Sequence, residues 1–298
     1  MTRFAIATPS YINDLERCRL LCASVDHFVT DLTVHYLLVE DRDVAAFRQF
    51  EGPKRRIIAE SELLPQWLKP WSDPISGGRR RVWTGPGALM RGLRPLRGWH
   101  AQQLRKFALP LAVDDDVFLY ADSDVIFLKP FAQSEQVGPA GVRLYAKREG
   151  IRAGMHEHVR WLNHAASILG VSPPELPATD YINNLATWTG PNVRLLIKAI
   201  EQRSSRHWVQ AVGKDRSFSE MMIYGVFVEG VLGGASGHAP SDGELSRTYW
   251  LEKDVERDSF RAAGPLLAGP QVSIGVQSFI GVPLEDLWAV FRQAAARS

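Results

Sequence analysis

The chain has 298 residues, 45% of them hydrophobic, with 35 basic and 33 acidic side chains for a formal net charge of +2. That length supports a sizeable core at the upper end of single-domain size, and the near balance of charge excludes a whole-molecule bias toward nucleic acid. The two cysteines, Cys18 and Cys22, lie four apart in a helical pattern, which suits small core packing rather than a disulfide framework and fits a reducing, cytoplasmic setting.

The opening MTRFAIATPSY has too short an apolar run for a signal peptide. No later segment is long and apolar enough to span a membrane, which leaves peripheral contact with one open. Phe4 to Ala7 predicts a first strand, cut by Thr8-Pro9-Ser10. A helix follows from about Asn13 to His27, with Leu15, Cys18, Cys22 and Val25 toward its inner face. Leu32 to Val39 predicts a second strand ending in Glu40-Asp41, then a helix around Val44 to Phe50 and a short strand from Arg56 to Ala59. Strand, helix, strand, helix, strand in so short a span predicts an α/β domain built on a mostly parallel sheet flanked by helices.

Regularity fails from Pro65 to Gly98, a stretch rich in proline, glycine and tryptophan that reads as a long loop insertion. No acid occurs between Asp73 and Asp114, whereas Arg79, Arg80, Arg81, Arg91, Arg94, Arg97, Arg105 and Lys106 all fall there. Three readings stand side by side: neutralising phosphate oxygens of a ligand, forming a solvated face, or gripping a polyanion such as RNA.

Trp99 to Leu109 predicts a helix that places Gln102, Gln103 and Lys106 on one side. It leads into Asp114 to Pro130, where two apolar runs, Val117 to Tyr120 and Val125 to Leu128, enclose Asp122-Ser123-Asp124. The first run suits a buried central strand. Acids at its C-terminal end stand where open α/β sheets bind ligands. Asp122 and Asp124, two apart, can point the same way and share one divalent cation, since carboxylates suit magnesium or manganese. Asp114 to Asp116 read as turn chemistry.

Beyond Pro130, Val142 to Ala146 predicts a strand, Glu157 to Leu169 a helix, and Asn192 to about Arg203 another. In FSEMMIYGVFV, Ser219 can cap a helix with Glu220 in its first turn, where an acid is favoured. The rival role for Glu220 is at a cleft floor, contacting a sugar or accepting a proton. His238 lies in a glycine-rich segment with freedom to reach a metal, while His156 and His158 read as surface or capping groups. Gln271 to Val276 predicts a late strand and Pro283 to Ala295 a closing amphipathic helix.

ADSDVIF resembles the Asp-x-Asp centre of glycosyltransferases with the GT-A fold, a Rossmann-like α/β architecture. More narrowly, TPSYINDLERC, GWHAQQLRKF, YADSDVIFLKPF, YINNLATW, FSEMMIYGVFV and VSIGVQSF together resemble a bacterial glycosyltransferase-like family, domain of unknown function 6492. The resemblance implies a nucleoside-diphosphate-sugar donor bound over residues 1–130 and an acceptor over residues 131–298. Thr8, Pro9, Ser10 and Tyr11 would line the nucleoside pocket, with Asp14 or Glu40 near base or ribose. Asp122, Ser123 and Asp124 would lie at the donor phosphates, the two acids on manganese or magnesium, with Gln103 and Lys106 nearby. His238 is the available late metal ligand; the other place for one, near Gly275 to Ser278, offers Gln277 instead. Glu220, with Asp180 or Asn184, would orient or deprotonate the acceptor.

The sequence does not choose among a glycan, a lipid and a small-molecule acceptor, nor among oligomeric states. Two other functions compete: a non-catalytic scaffold or RNA-binding protein using residues 79–106, and a nucleotidyltransferase. The last usually needs a basic glycine-rich loop after its first strand, which TPSY does not supply.

Overall fold

Phe4–Pro9 (β1) is buried at every residue and forms the middle of a five-stranded sheet. The computed structural model describes residues 2–76, 80–257 and 266–298, so Arg79 lies outside the described residues. Leu15–Phe28 (α1) follows β1, and Val34–Val39 (β2) pairs parallel to it, with Arg55–Ala59 (β3) beyond. Gly98–Ala112 (α2) carries the chain across to Val117–Ala121 (β4), parallel to β1 on its other side. Leu185–Thr189 (β5) pairs antiparallel with β4 and completes the order β5-β4-β1-β2-β3.

β1, β2 and β4 are buried throughout, as strands covered on both faces should be. This is the mostly parallel sheet flanked by helices that the sequence predicts, with one antiparallel edge strand. Strand order reverses at β1, so the ends of β1 and β4 flank a topological switch point.

An aromatic stack fixes the elements around that point. Phe107 of α2 lies 5.3 Å from Trp188 of β5, which stacks at 4.7 Å on Tyr224 of the helix Glu220–Val226 (α3). Tyr120 of β4 meets the same Trp188 at 4.5 Å and donates its hydroxyl to the Lys106 carbonyl at 2.8 Å. Large aromatic rings interlocked in this way set the distance between α2 and α3.

Two expectations need correction. The stretch from Pro65 to Gly98 is not a structureless loop: Lys69–Ser72, Arg81–Thr84 and Leu96–Arg97 form a three-stranded antiparallel sheet. Its buried Trp83 donates to Glu60 Oε1 at 2.7 Å. Second, Asp115 is more than a turn residue. Fully buried, it accepts from Tyr36 Oη at 2.8 Å and Arg3 Nε at 3.1 Å, tying the start of β4 to β2. Val125–Phe127 lies outside the central sheet and pairs antiparallel with Ser273–Val276, itself parallel to Ser246–Tyr249. The turn closed by Val125 N–H donating to the Asp122 carbonyl at 3.1 Å redirects the chain there.

Cys18 and Cys22 are free thiols, buried against Leu37, Val39, Phe47 and Phe50. Among the described residues no helix is long and apolar enough to cross a membrane.

Candidate functional site

The switch point opens into a cleft of about 1940 Å³, lined from β1 by Pro9 and Tyr11, from β4 onward by Asp122, Ser123 and Asp124, and from α3 by Glu220. That volume exceeds the pocket of an ordinary small ligand and leaves room for two.

Lys106 occupies the centre. One helical face of α2 turns Trp99, Gln102, Gln103 and Lys106 into the cleft. Lys106 Nζ lies 3.0 Å from Asp122 Oδ1 and 2.9 Å from Glu220 Oε1, with its side chain only 5% exposed. Burial pulls the ammonium toward neutrality, but Asp122 and Glu220 together outweigh it and hold Lys106 above its ordinary value. α3 begins as the sequence predicts: Ser219 Oγ accepts from Met222 N–H at 3.4 Å. The Glu220 N–H donates to Gln103 Oε1 at 2.9 Å, so α2 fixes the helix start as well as the carboxylate.

Asp122 is 39% exposed, and Asp124 lines the same cleft. Its Oδ1 is enclosed and has no hydrogen-bond partner. Burial, with Asp122 and then Asp14 adding repulsion, pushes the Asp124 carboxyl up to about 7. Asp14 accepts from Ser123 Oγ at 3.3 Å and is raised by burial against the opposing pull of that bond and of Arg17. Three acids thus converge on one crevice. An enclosed carboxylate oxygen without a donor is a group that a cation would satisfy.

At the far end, Glu40 closes β2. Arg81 Nη1 lies 2.7 Å and Arg42 Nε 3.0 Å from its Oε2. Burial raises the Glu40 carboxyl despite both arginines. Behind it, Glu60 is buried against Arg105, whose Nε donates to Oε2 at 2.9 Å. Arg81, Arg105 and Lys106 are therefore committed inward to acids; they do not form an open basic face.

Several expected residues fall elsewhere. Thr8 is fully buried, its hydroxyl 3.0 Å from His35 Nε2, and Ser10 is likewise buried, so neither lines the cleft. His238 is not brought to the acids. Its Nδ1 donates to the Val142 carbonyl at 2.9 Å and its Nε2 accepts from Tyr224 Oη at 2.7 Å, which engages both ring nitrogens. Burial lowers its imidazole accordingly. Asp180 lies off the cleft, accepting from Ile182 N–H at 3.0 Å and facing His158 Nδ1 at 3.3 Å. Among the described residues no three Asp, Glu, His or Cys side chains group as a metal site. Gln277 and Asn184 do line the cleft. A Cβ on Gly275 would collide with the Asn184 amide, so that glycine lets the strand Ser273–Val276 close over it.

Gln103, Asn184 and Tyr11, named from the sequence, do line the cleft, and the first two each leave an amide nitrogen without a partner. The inward pairing of Arg81 and Arg105 carries no local sequence signal.

The family of unknown function DUF6492 matches residues 4–259. No curated protein matches the chain. Among solved structures, the chain is similar to galactosyltransferase LgtC in complex with donor and acceptor sugar analogs. The identity is 12%, over 98% of this chain and 95% of that chain, with a TM-score of 0.43. An active-site mutant of LgtC gives 11% identity over the same shares, 98% and 95%, with a TM-score of 0.46.

Proposed function

The chain belongs to the DUF6492 family, and from that premise we propose that it moves a sugar from a nucleoside-diphosphate-sugar donor to an acceptor hydroxyl. The observation that carries this reading is the crevice at the switch point. There a buried lysine is shared between Asp122 and Glu220, beside the enclosed, unpartnered oxygen of Asp124.

The acids fit a divalent cation. Two carboxylates two residues apart, one with an orphaned oxygen, suit magnesium or manganese, with donor phosphate oxygens, water or Gln277 completing the oxygen set. Such a cation neutralises charge developing on the departing nucleoside diphosphate.

The residues of the chain do the rest. Tyr11, Asp14 and the Glu40–Arg81 pair line the end of the cleft where β1 and β2 finish, which suits the nucleoside. Residues 1–130 supply that donor half and residues 131–298 most of the acceptor wall. In the transfer, the bond from the anomeric carbon to the β-phosphate oxygen breaks and its electron pair leaves with the diphosphate. The acceptor oxygen bonds to that carbon and gives up its proton, which Glu220 receives. Because Lys106 is shared, Asp122 remains beside the ammonium when Glu220 takes the proton.

A coupled assay for nucleoside diphosphate release tests the reading, using UDP-, GDP-, CDP- and dTDP-sugars with manganese. Release from one of these donors, lost in D122A, supports it. No release from any, by folded protein, contradicts it.

A further inference from the structure

α2 works as a ruler along the cleft. Lys106 marks the reacting end, at Asp122 and Glu220, and Trp99 stands seven residues earlier on the same lining face. A helix rises about 1.5 Å per residue, which sets Trp99 about 10 Å from Lys106 along the axis. That is roughly the length of two pyranose rings.

Trp99 is 47% exposed, a large apolar group that folding has left open. It is not loose. Trp161 backs it with ring centroids 5.8 Å apart, and His158 packs on Trp161 at 5.1 Å. His100 fixes the polar groups beside it. Its Nδ1 accepts from the Arg97 N–H at 3.1 Å and its Nε2 donates to the Arg216 carbonyl at 2.7 Å, and both arginines line the cleft. Between Trp99 and the reacting end lies Gln103, buried, its Nε2 without a partner.

A flat aromatic face in a cleft that Arg97 and Arg216 also line matches one ligand chemistry well. A pyranose ring presents C–H groups on one face, which the negative face of an aromatic ring attracts. Its rim of hydroxyls accepts from forked donors such as arginine. A lipid surface would call for contiguous apolar groups on a projecting face, whereas Trp99 lines the wall of a cleft.

We infer that the acceptor is an oligosaccharide of at least two sugars, its terminal ring at the Asp122–Lys106–Glu220 end of the cleft and its next ring stacked on Trp99. This rests on the transfer reading above, and it names the acceptor class which that reading leaves open.

The test is saturation-transfer NMR on the full chain without donor. The probes are methyl glucoside, galactoside and mannoside, and the disaccharides cellobiose, maltose, lactose and mannobiose. At least one disaccharide should bind about fivefold or more tighter than its methyl monosaccharide. W99A should weaken that binding about tenfold, and W99F should retain most of it. Melting temperatures of both variants should match the wild type, since Trp99 is half exposed. Equal binding of mono- and disaccharides, no binding at all, or full binding by W99A would each overturn the inference. So would cosedimentation with phosphatidylglycerol vesicles that W99A abolishes while no sugar binds. Donor-dependent diphosphate release without disaccharide binding sinks this inference alone. Disaccharide binding with no diphosphate release from any nucleotide sugar keeps the Trp99 platform and sinks the transfer reading instead.

Discussion

Lys106 and Glu220 face each other at 2.9 Å across the seam between α2 and α3, both side chains almost wholly buried. A buried pair broken on one side leaves the other charge uncompensated, at a cost of about 3–5 kcal/mol. K106M should therefore lower stability by an amount in that range. K106M/E220Q should recover part of it, because the second change removes the stranded carboxylate. Urea unfolding of the wild type and the two variants checks this, and a double variant less stable than K106M would refute the coupling.

Glu220 alone tests its place in the chemistry. E220Q keeps the side-chain shape and the Gln103 contact to the backbone, so donor binding should persist. Turnover should fall by about 10²–10⁴ if the carboxylate receives the acceptor proton. Wild-type turnover in E220Q would remove it from that role.

Asp124 should show stability and function in opposition. Burial raises its carboxyl to about 7, so ionising it works against the fold. D124N removes that charge and should unfold at the same or higher temperature than the wild type at pH 8 without divalent cations, while losing diphosphate release. A D124N protein that is much less stable under those conditions would mean that the carboxylate is a structural group.

Glu60 anchors the inserted sheet. It accepts from Trp83 Nε1 at 2.7 Å and from buried Arg105 at 2.9 Å. E60A leaves Arg105 unpaired in the interior, and a loss of about 3–5 kcal/mol is expected. Limited proteolysis should then cut first within residues 65–98. An unchanged cleavage pattern would show that the sheet does not depend on this acid.

His35 supplies the pH dependence. It is fully buried between Thr8 and Arg55, and burial, with Arg55 adding to it, lowers its imidazole well below the ordinary value. The unfolded chain therefore binds a proton near pH 6.5 that the folded chain refuses. The contribution of His35 is fully present above that pH and is lost as pH falls through the window below it. One proton corresponds to about 1.4 kcal/mol per pH unit. H35Q should flatten the stability profile between pH 6.5 and 5 relative to the wild type, and parallel profiles would exclude His35 as the cause.

How much of this was legible in the sequence differs from residue to residue. The strand Val117–Ala121 and the acids after it could be read because a buried central strand is apolar throughout and its polar end marks the rim. The same property hid Thr8. In a strand buried on both faces, alternation does not say which residue faces a cleft, and Thr8 turns to His35. His238 misled because glycine neighbours suggest freedom, whereas His238–Ser241 is a strand paired parallel with Gly141–Tyr145. Asp180 makes its bonds locally, to Ile182 and His158. The inserted sheet escaped because its strands are too short to show a period and carry Pro70 and two tryptophans, Trp71 and Trp83. The pairs Glu40–Arg81 and Glu60–Arg105 join residues far apart in sequence, and no local pattern announces them.

Presentation of a metal-bound nucleotide sugar to the cleft by Asp122 and Asp124 can be read by thermal shift. Purified protein would be melted with UDP-, GDP-, CDP- and dTDP-sugars, with and without manganese. Native-state binding must raise apparent stability by mass action, about 2.7 kcal/mol at a hundredfold excess over Kd. The expected result is a rise for one nucleotide class that needs manganese and disappears in D124A. A rise that survives D124A, or silence across the whole panel in well-folded protein, would contradict it.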